Sequence, residues 1–167
     1  MTNRSLVLIA LFAVLTLPCL AQQPPSKNAV VAKIVSEVSA KNIRSTIEKL
    51  VSFGTRHTLS DTVSETRGIG AARRWIKSEF ERYAKSSGGR MTVDFFETLV
   101  PPSRRIPSPT NVVDVVATLR PNPAGPSASR IIVVSGHYDS RATNGLDATS
   151  DAPGADDDGS GTAVVLE

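Results

Sequence analysis

Two short stretches of the chain carry residues that could do chemistry together. One is Gly136-His137-Tyr138-Asp139-Ser140; the other is Ala152-Pro153-Gly154-Ala155-Asp156-Asp157-Asp158-Gly159-Ser160-Gly161. An imidazole followed two residues later by a carboxylate suits a metal site. One ring nitrogen binds the ion, while the carboxylate accepts a hydrogen bond from the other, fixing the tautomer and raising basicity. Three adjacent aspartates repel one another unless cations, hydrogen-bond donors or a helix N-terminus offset them. A divalent metal does this, and one carboxylate can bridge two ions. Taken singly, each feature is bland: a histidine after a strand is usually an ordinary polar residue, and an acidic triplet a solvated loop with an N-cap in it. Together, with a Gly/Pro-shaped loop between them, they point to a site of oxygen and nitrogen donors without thiolate. Such a site is compatible with zinc, and also with manganese or cobalt.

The same aspartates pose a rival. Asp156 through Glu167 fits the spacing of an EF-hand calcium loop. That reading demands a helix ending directly before Asp156, where Ala152-Pro153-Gly154 disfavours one, and it leaves His137 and Asp139 without a role. His57, in the polar loop Thr55-Arg56-His57-Thr58, reads as a surface or structural residue outside the site.

The elements that must position these residues follow from hydrophobic periodicity. From Ala29, Val30, Val31, Ile34 and Val38 share one helical face. Ser39 offers an N-cap for a second helix, whose stripe Ile43, Ile47, Leu50 and Val51 stops at Gly54. A third helix is expected from about Arg67 to Ala84, with Ala71, Trp75, Phe80 and Tyr83 inward, ending at Gly88-Gly89. These stripes read as core. Met91–Val100 and Val112–Leu119 are rich in strand formers and suit a hairpin, with Pro101, Pro102, Pro107 and Pro109 keeping the loop between them open. Pro121, Pro123 and Pro126 close the second strand. Ile131 to Ser135 is a continuous apolar run of the kind found in a strand covered on both faces. The polar stretch Gly136 to Asp158 follows, then the first turns of a helix over Gly159–Glu167. This order predicts an α/β fold with a site at the carboxyl end of the buried strand.

Composition narrows the function classes. The 167 residues are 40% hydrophobic and 21% charged, enough to bury a core without disulfides or a structural metal. The net charge of +3 is a weak excess, and no Lys/Arg run with interleaved aromatics occurs, so nucleic-acid binding is not indicated. Residues 1–21 read as a secretory signal peptide: Arg4 supplies the positive start, Leu6 to Leu17 the apolar run, and small residues precede a cut after Ala21. Residues 22–28 form a flexible lead-in and 29–167 the domain. Cleavage removes Cys19, the single cysteine, and a thiol-free chain suits a secreted or periplasmic location without stable membrane association.

The His137 and Asp157 stretches together resemble the M28 family of zinc peptidases, the aminopeptidases of the co-catalytic two-zinc type. Ser52-Phe53-Gly54-Thr55-Arg56, after an amphipathic helix, resembles that family's N-terminal region. The resemblance runs roughly from Ile43 to Glu167. It implies a three-layer α/β/α sandwich around a mixed β-sheet, two Zn2+ per complete site (one or both replaceable by Mn2+ or Co2+), and a metal-activated water that attacks the peptide bond. Residue by residue, His137 resembles a zinc ligand, Asp139 the carboxylate that orients it, and Asp157 the carboxylate bridging the two metals. Asp156 and Asp158 match the motif without ligand roles, and their expected tasks are loop hydrogen bonding and helix capping. The family's general-base glutamate, the zinc-binding glutamate beside it, a later acidic ligand and a second histidine have no counterpart here; Glu167 comes too early. The chain is therefore expected to be the N-terminal part of an M28-like aminopeptidase acting on peptide or protein substrates, and to be inactive alone. Two alternatives are a glutaminyl-cyclase-like zinc enzyme, which converts N-terminal Gln to pyroglutamate, and a non-enzymatic calcium- or peptide-binding module. The full Ala-Asp-Asp-Asp-Gly-Ser-Gly run favours the peptidase.

Overall fold

The computed structural model describes residues 28–122 and 130–167. The expected signal peptide, with Cys19, nearly all of the lead-in, and Pro123 and Pro126 lie outside the described residues. The first helix, α1 (Ala29–Glu37), belongs to a separate unit from Val38–Glu167. Asn28 caps it, its side-chain oxygen accepting from the Val30 amide at 2.9 Å.

The larger unit contains α2 (Ala40–Val51), α3 (Gly68–Ala84), the strands β1 (Met91–Val100) and β2 (Thr110–Leu119), and a short closing helix α4 (Gly161–Leu166). Ser39 caps α2, its hydroxyl accepting from the Asn42 amide at 3.2 Å. The stripe read from the sequence is the face that packs: Leu50 is fully buried, and Ile43, Ile47 and Val51 are half-buried. Gly54 follows with a φ of 71°, a backbone state costly for residues with a Cβ, and turns the chain away from α2. On α3, Ala71, Ala72 and Ile76 are buried, while Trp75, Phe80 and Tyr83 pack around them. Leu50 and Phe53 complete this core with Leu166 of α4, and the Phe53 and Trp75 rings meet at 6.3 Å.

β1 and β2 pair antiparallel in the register Met91↔Leu119 to Val100↔Thr110, so the hairpin expectation holds. The inner faces reach the core through Val115 of β2, whereas Phe96, Leu99 and Leu119 stay exposed. Helices with a small sheet are compatible with the α/β class. Among the described residues the sheet has two antiparallel strands, and no helix is long and apolar enough to cross a membrane.

One expectation fails. Ile131–Ser135 is neither a strand nor buried: Ile131 is 91% exposed and Val134 67%. An apolar run becomes a buried strand only where neighbouring strands take up its amides and layers cover both faces. Among the described residues neither β1 nor β2 pairs with it.

Leu50 has no exposed surface and sits where α2, α3 and α4 meet, so truncation leaves a void that the surrounding helices cannot fill. Leu50→Ala should destabilise the chain by about 2–5 kcal/mol, read as a lowered urea midpoint. A loss below about 1 kcal/mol would mean that these helices do not share one core.

Candidate metal centre

The site is built by three loops. Gly136–Ser140 carries His137 and Asp139. The wide turn Ala155–Ser160 carries the aspartate triplet and leads into α4. Gly54–Ser60, after α2, lies beneath both. Gly136 has no room for a side chain: a Cβ would stand 2.7 Å from the Gly161 carbonyl carbon, so the histidine loop passes directly against the start of α4. Gly154, with a φ of 45°, opens the triplet turn, and a Cβ there would stand 2.6 Å from that of Ser140.

His137 is the hub. Its Nδ1 lies 3.0 Å from Asp139 Oδ1, and its Nε2 lies 3.0 Å from Asp157 Oδ1. The His137 amide donates to Asp158 Oδ2 at 3.1 Å, while Asp158 Oδ1 accepts from the Gly161 amide at 3.0 Å. Asp158 thus ties the histidine loop to the first turn of α4. Thr162 adds a hydroxyl donated to the His137 carbonyl at 3.2 Å. Asp139 is held from its far side by the Thr58 hydroxyl, at 3.0 Å from Oδ2. Asp156 is exposed, and its carbonyl accepts from the Ser160 hydroxyl. The peptide between Asp157 and Asp158 is cis.

The structure therefore brings His137, Asp139 and Asp157 together, and it sets His57 apart. His57 is buried, with Nδ1 accepting from the Leu59 amide at 3.0 Å and Nε2 donating to the Gly145 carbonyl at 3.1 Å. Both ring nitrogens are spent on backbone, so His57 is structural: it pins the loop between the two halves of the site. Asp147 folds the same loop, and amide and hydroxyl donors from Ser150 and Thr149 hold its carboxyl well below the usual range. Residues 151–154 are not helical. The helix that an EF-hand loop requires before Asp156 is absent, and the calcium-loop reading fails on that ground.

Sequence reasoning missed Arg56. Its side chain is 1% exposed and donates to four backbone carbonyls: Nε to Tyr138 at 2.7 Å, Nη1 to Leu50 at 2.9 Å and Pro153 at 2.7 Å, and Nη2 to Gly154 at 2.9 Å. Burial lowers its pKa, while the Asp139 charge opposes that shift. The resemblance quoted Arg56 within a motif, but its carbonyl partners on the site loops lie more than 80 residues away, beyond the reach of any local pattern.

A metal can be tested against these donors. A carboxylate can only accept, so Nδ1 facing Asp139 carries the proton and a neutral ring presents its Nε2 lone pair to Asp157. Two acceptors 3.0 Å apart repel unless a proton or a cation lies between them. Imidazole nitrogen and carboxylate oxygen are both zinc donors, so the pair fits the ion in kind and in direction. A catalytic zinc takes three protein ligands and a water. Among the described residues no group of three or more His, Cys, Asp or Glu side chains converges on one point.

Part of the chain is similar to known proteins. Residues 114–167 match the family model of Peptidase family M28. A probable zinc metalloprotease of Leptosphaeria maculans is 51% identical over 143 residues, which is 86% of this chain and 32% of the relative. Another, from Pyrenophora teres f. teres, is 49% identical over 148 residues, 89% of this chain and 30% of the relative. Leucine aminopeptidase 1 of Fusarium vanettenii is 29% identical over 141 residues, covering 84% and 31% respectively. No solved structure matches the chain. Over residues 114–167 the chain is similar to Peptidase family M28, and it spans about a third of the length of these relatives.

Without a metal, the second proton of the His137 ring would sit on Nε2, the nitrogen that faces Asp157. Desolvation works against protonation, but the hydrogen bond and charge of Asp139, joined by the charge of Asp158, outweigh it and raise the His137 pKa above 6.5. The folded state then holds more protons than the unfolded one between 6.5 and the raised value. The contribution of His137 is full below that window and fades as pH rises through it. The urea midpoint of the metal-free chain should therefore gain a downward step with rising pH that His137→Gln removes. A His137→Gln profile parallel to the parent would refute the pairing.

Proposed function

We propose that this chain is part of a zinc-dependent exopeptidase of the aminopeptidase type, with His137 and Asp157 holding metal and Asp139 orienting His137. The observation that carries the reading is the facing pair of acceptors, His137 Nε2 and Asp157 Oδ1, 3.0 Å apart, with Nδ1 already committed to Asp139. The relatives named zinc metalloproteases support the ion, and the more distant one named leucine aminopeptidase supports the type of cleavage. Peptide or protein substrates follow from a peptidase reading.

Zinc, when bound, supplies a Lewis acid that acidifies water and polarises a carbonyl. The chain's own residues prepare the place for it. Asp139 keeps the proton on Nδ1 and thereby frees Nε2 as a donor. Thr58 holds Asp139 in that attitude. Asp157 stands mostly in solvent, its side chain 85% exposed, so its carboxylate is open on the side away from His137. That open side is where a second ion of a two-zinc site would share it. A cleft of about 270 Å³ opens beside His137 and Asp139, with Ile69, Ile106, Val112 and Arg73 in its walls, and we assign the substrate to this side. The leader features of residues 1–21 support action outside the cytosol, secreted or periplasmic.

Equilibrium dialysis of the 167-residue chain tests the metal. Zinc uptake should weaken by at least about tenfold in His137→Ala, while calcium leaves it unchanged. Calcium uptake without zinc uptake, indifferent to His137→Ala, would overturn the reading. With two facing donors the chain should release amino acids from aminoacyl-anilides at background rate. Robust, chelator-sensitive release would show that this donor set suffices.

A further inference from the structure

Arg56 is a buried cation that, among the described residues, forms no ion pair with a carboxylate. Among the described residues its donors all go to carbonyls, and those carbonyls come from three places. Leu50 ends α2. Tyr138 sits between His137 and Asp139. Pro153 and Gly154 lead into the aspartate triplet. The Gly154 carbonyl accepts a second bond, from the Gly159 amide at 3.0 Å, which closes the turn that holds Asp156, Asp157 and Asp158. The backbone of Arg56 adds to the junction. Its amide donates to the Ser140 hydroxyl at 2.9 Å, its carbonyl accepts from the Ser140 amide at 3.2 Å, and the Ser140 hydroxyl donates to the Ala152 carbonyl at 2.6 Å. One planar fork therefore grips the loop of His137 and the loop of Asp157 at once, and anchors both to the end of a core helix.

We propose that Arg56 is a positioning residue that sets the separation of His137 Nε2 and Asp157 Oδ1 by clamping the backbone of both loops. The proposal rests on the zinc reading of that pair. Charge alone does not do this. A guanidinium spreads its donors in a fixed plane that spans several carbonyls, whereas a lysine ammonium is a point charge on a flexible stem. The role is thus geometric, and Lys at this position should not replace Arg.

The test compares zinc affinity of the 167-residue chain with Arg56→Met and Arg56→Lys, using His137→Ala as the control for the site. It is run at a temperature where circular dichroism shows each variant folded. Loss of a residue that orients metal ligands costs about 10–100-fold in affinity, and both Arg56 variants should fall in that range. Variants that melt earlier yet bind zinc as tightly as the parent, or full recovery with Lys, would overturn the proposal. If parent and His137→Ala take up zinc equally, the zinc reading has failed by itself. Arg56 is then judged by hydrogen exchange: exchange at the Ser140 and Gly159 amides at least about tenfold faster in Arg56→Lys, with α3 unchanged, supports the clamp, and unchanged rates refute it. Should neither Arg56 variant fold, Ser140→Ala loosens the same junction with the guanidinium left in place. It should weaken zinc binding by about tenfold, and parental affinity would refute the clamp.

Discussion

Everything in this site turns on an electrostatic conflict. An imidazole lone pair faces a carboxylate oxygen at 3.0 Å, while a second carboxylate holds the proton on the opposite ring nitrogen. Left alone, such an arrangement is repulsive, and the neighbouring aspartates add to it. Among the described residues, the fold does not relieve the conflict with a lysine or arginine head paired to these carboxylates. It spends its arginine underneath, on the backbone, and leaves the space between Nε2 and Asp157 for a proton or a metal ion.

That economy explains the design of the surrounding loops. Carboxylates that are to be shared with an ion must be held by something other than their own charges. Asp139 is held by the Thr58 hydroxyl, and Asp158 by the amides of His137 and Gly161. The loops themselves are held by Ser140, His57 and the Arg56 fork. Apart from the two amides that hold Asp158, these supports spring from the segment directly after α2 or fasten to it. That segment is fixed in turn by Phe53, buried against Trp75 of α3. Core packing thus passes through one short loop to the positions of three acidic and basic heads.

The sequence made some of this plain and concealed the rest for identifiable reasons. The stripe Ile43, Ile47, Leu50 and Val51 announces a buried helix face because its partners recur every turn, and Ser39 announces the cap. The strand formers of Met91–Val100 and Val112–Leu119 likewise make the hairpin readable. His137, Asp139 and Asp157 stand out because residue type and spacing alone carry their chemistry. Arg56 and His57 do not stand out, since their partners on the site loops lie more than 80 residues away and are backbone atoms without a sequence signature. The run Ile131–Ser135 misleads in the opposite sense. Its composition is that of a covered strand, but composition does not supply the neighbours that would cover it.

The proposed site stands on a metal bound to His137 through Nε2 while Nδ1 keeps its proton for Asp139. The chain has two histidines, and His57 provides an internal reference because both of its nitrogens are committed to backbone. Nitrogen-15 NMR of the imidazole rings during zinc addition reads this directly. The Nε2 resonance of His137 should shift to that of a metal-bound nitrogen, with Nδ1 still protonated and the His57 ring unmoved. A His137 ring that does not respond to zinc, or one that binds it through Nδ1, would contradict the account.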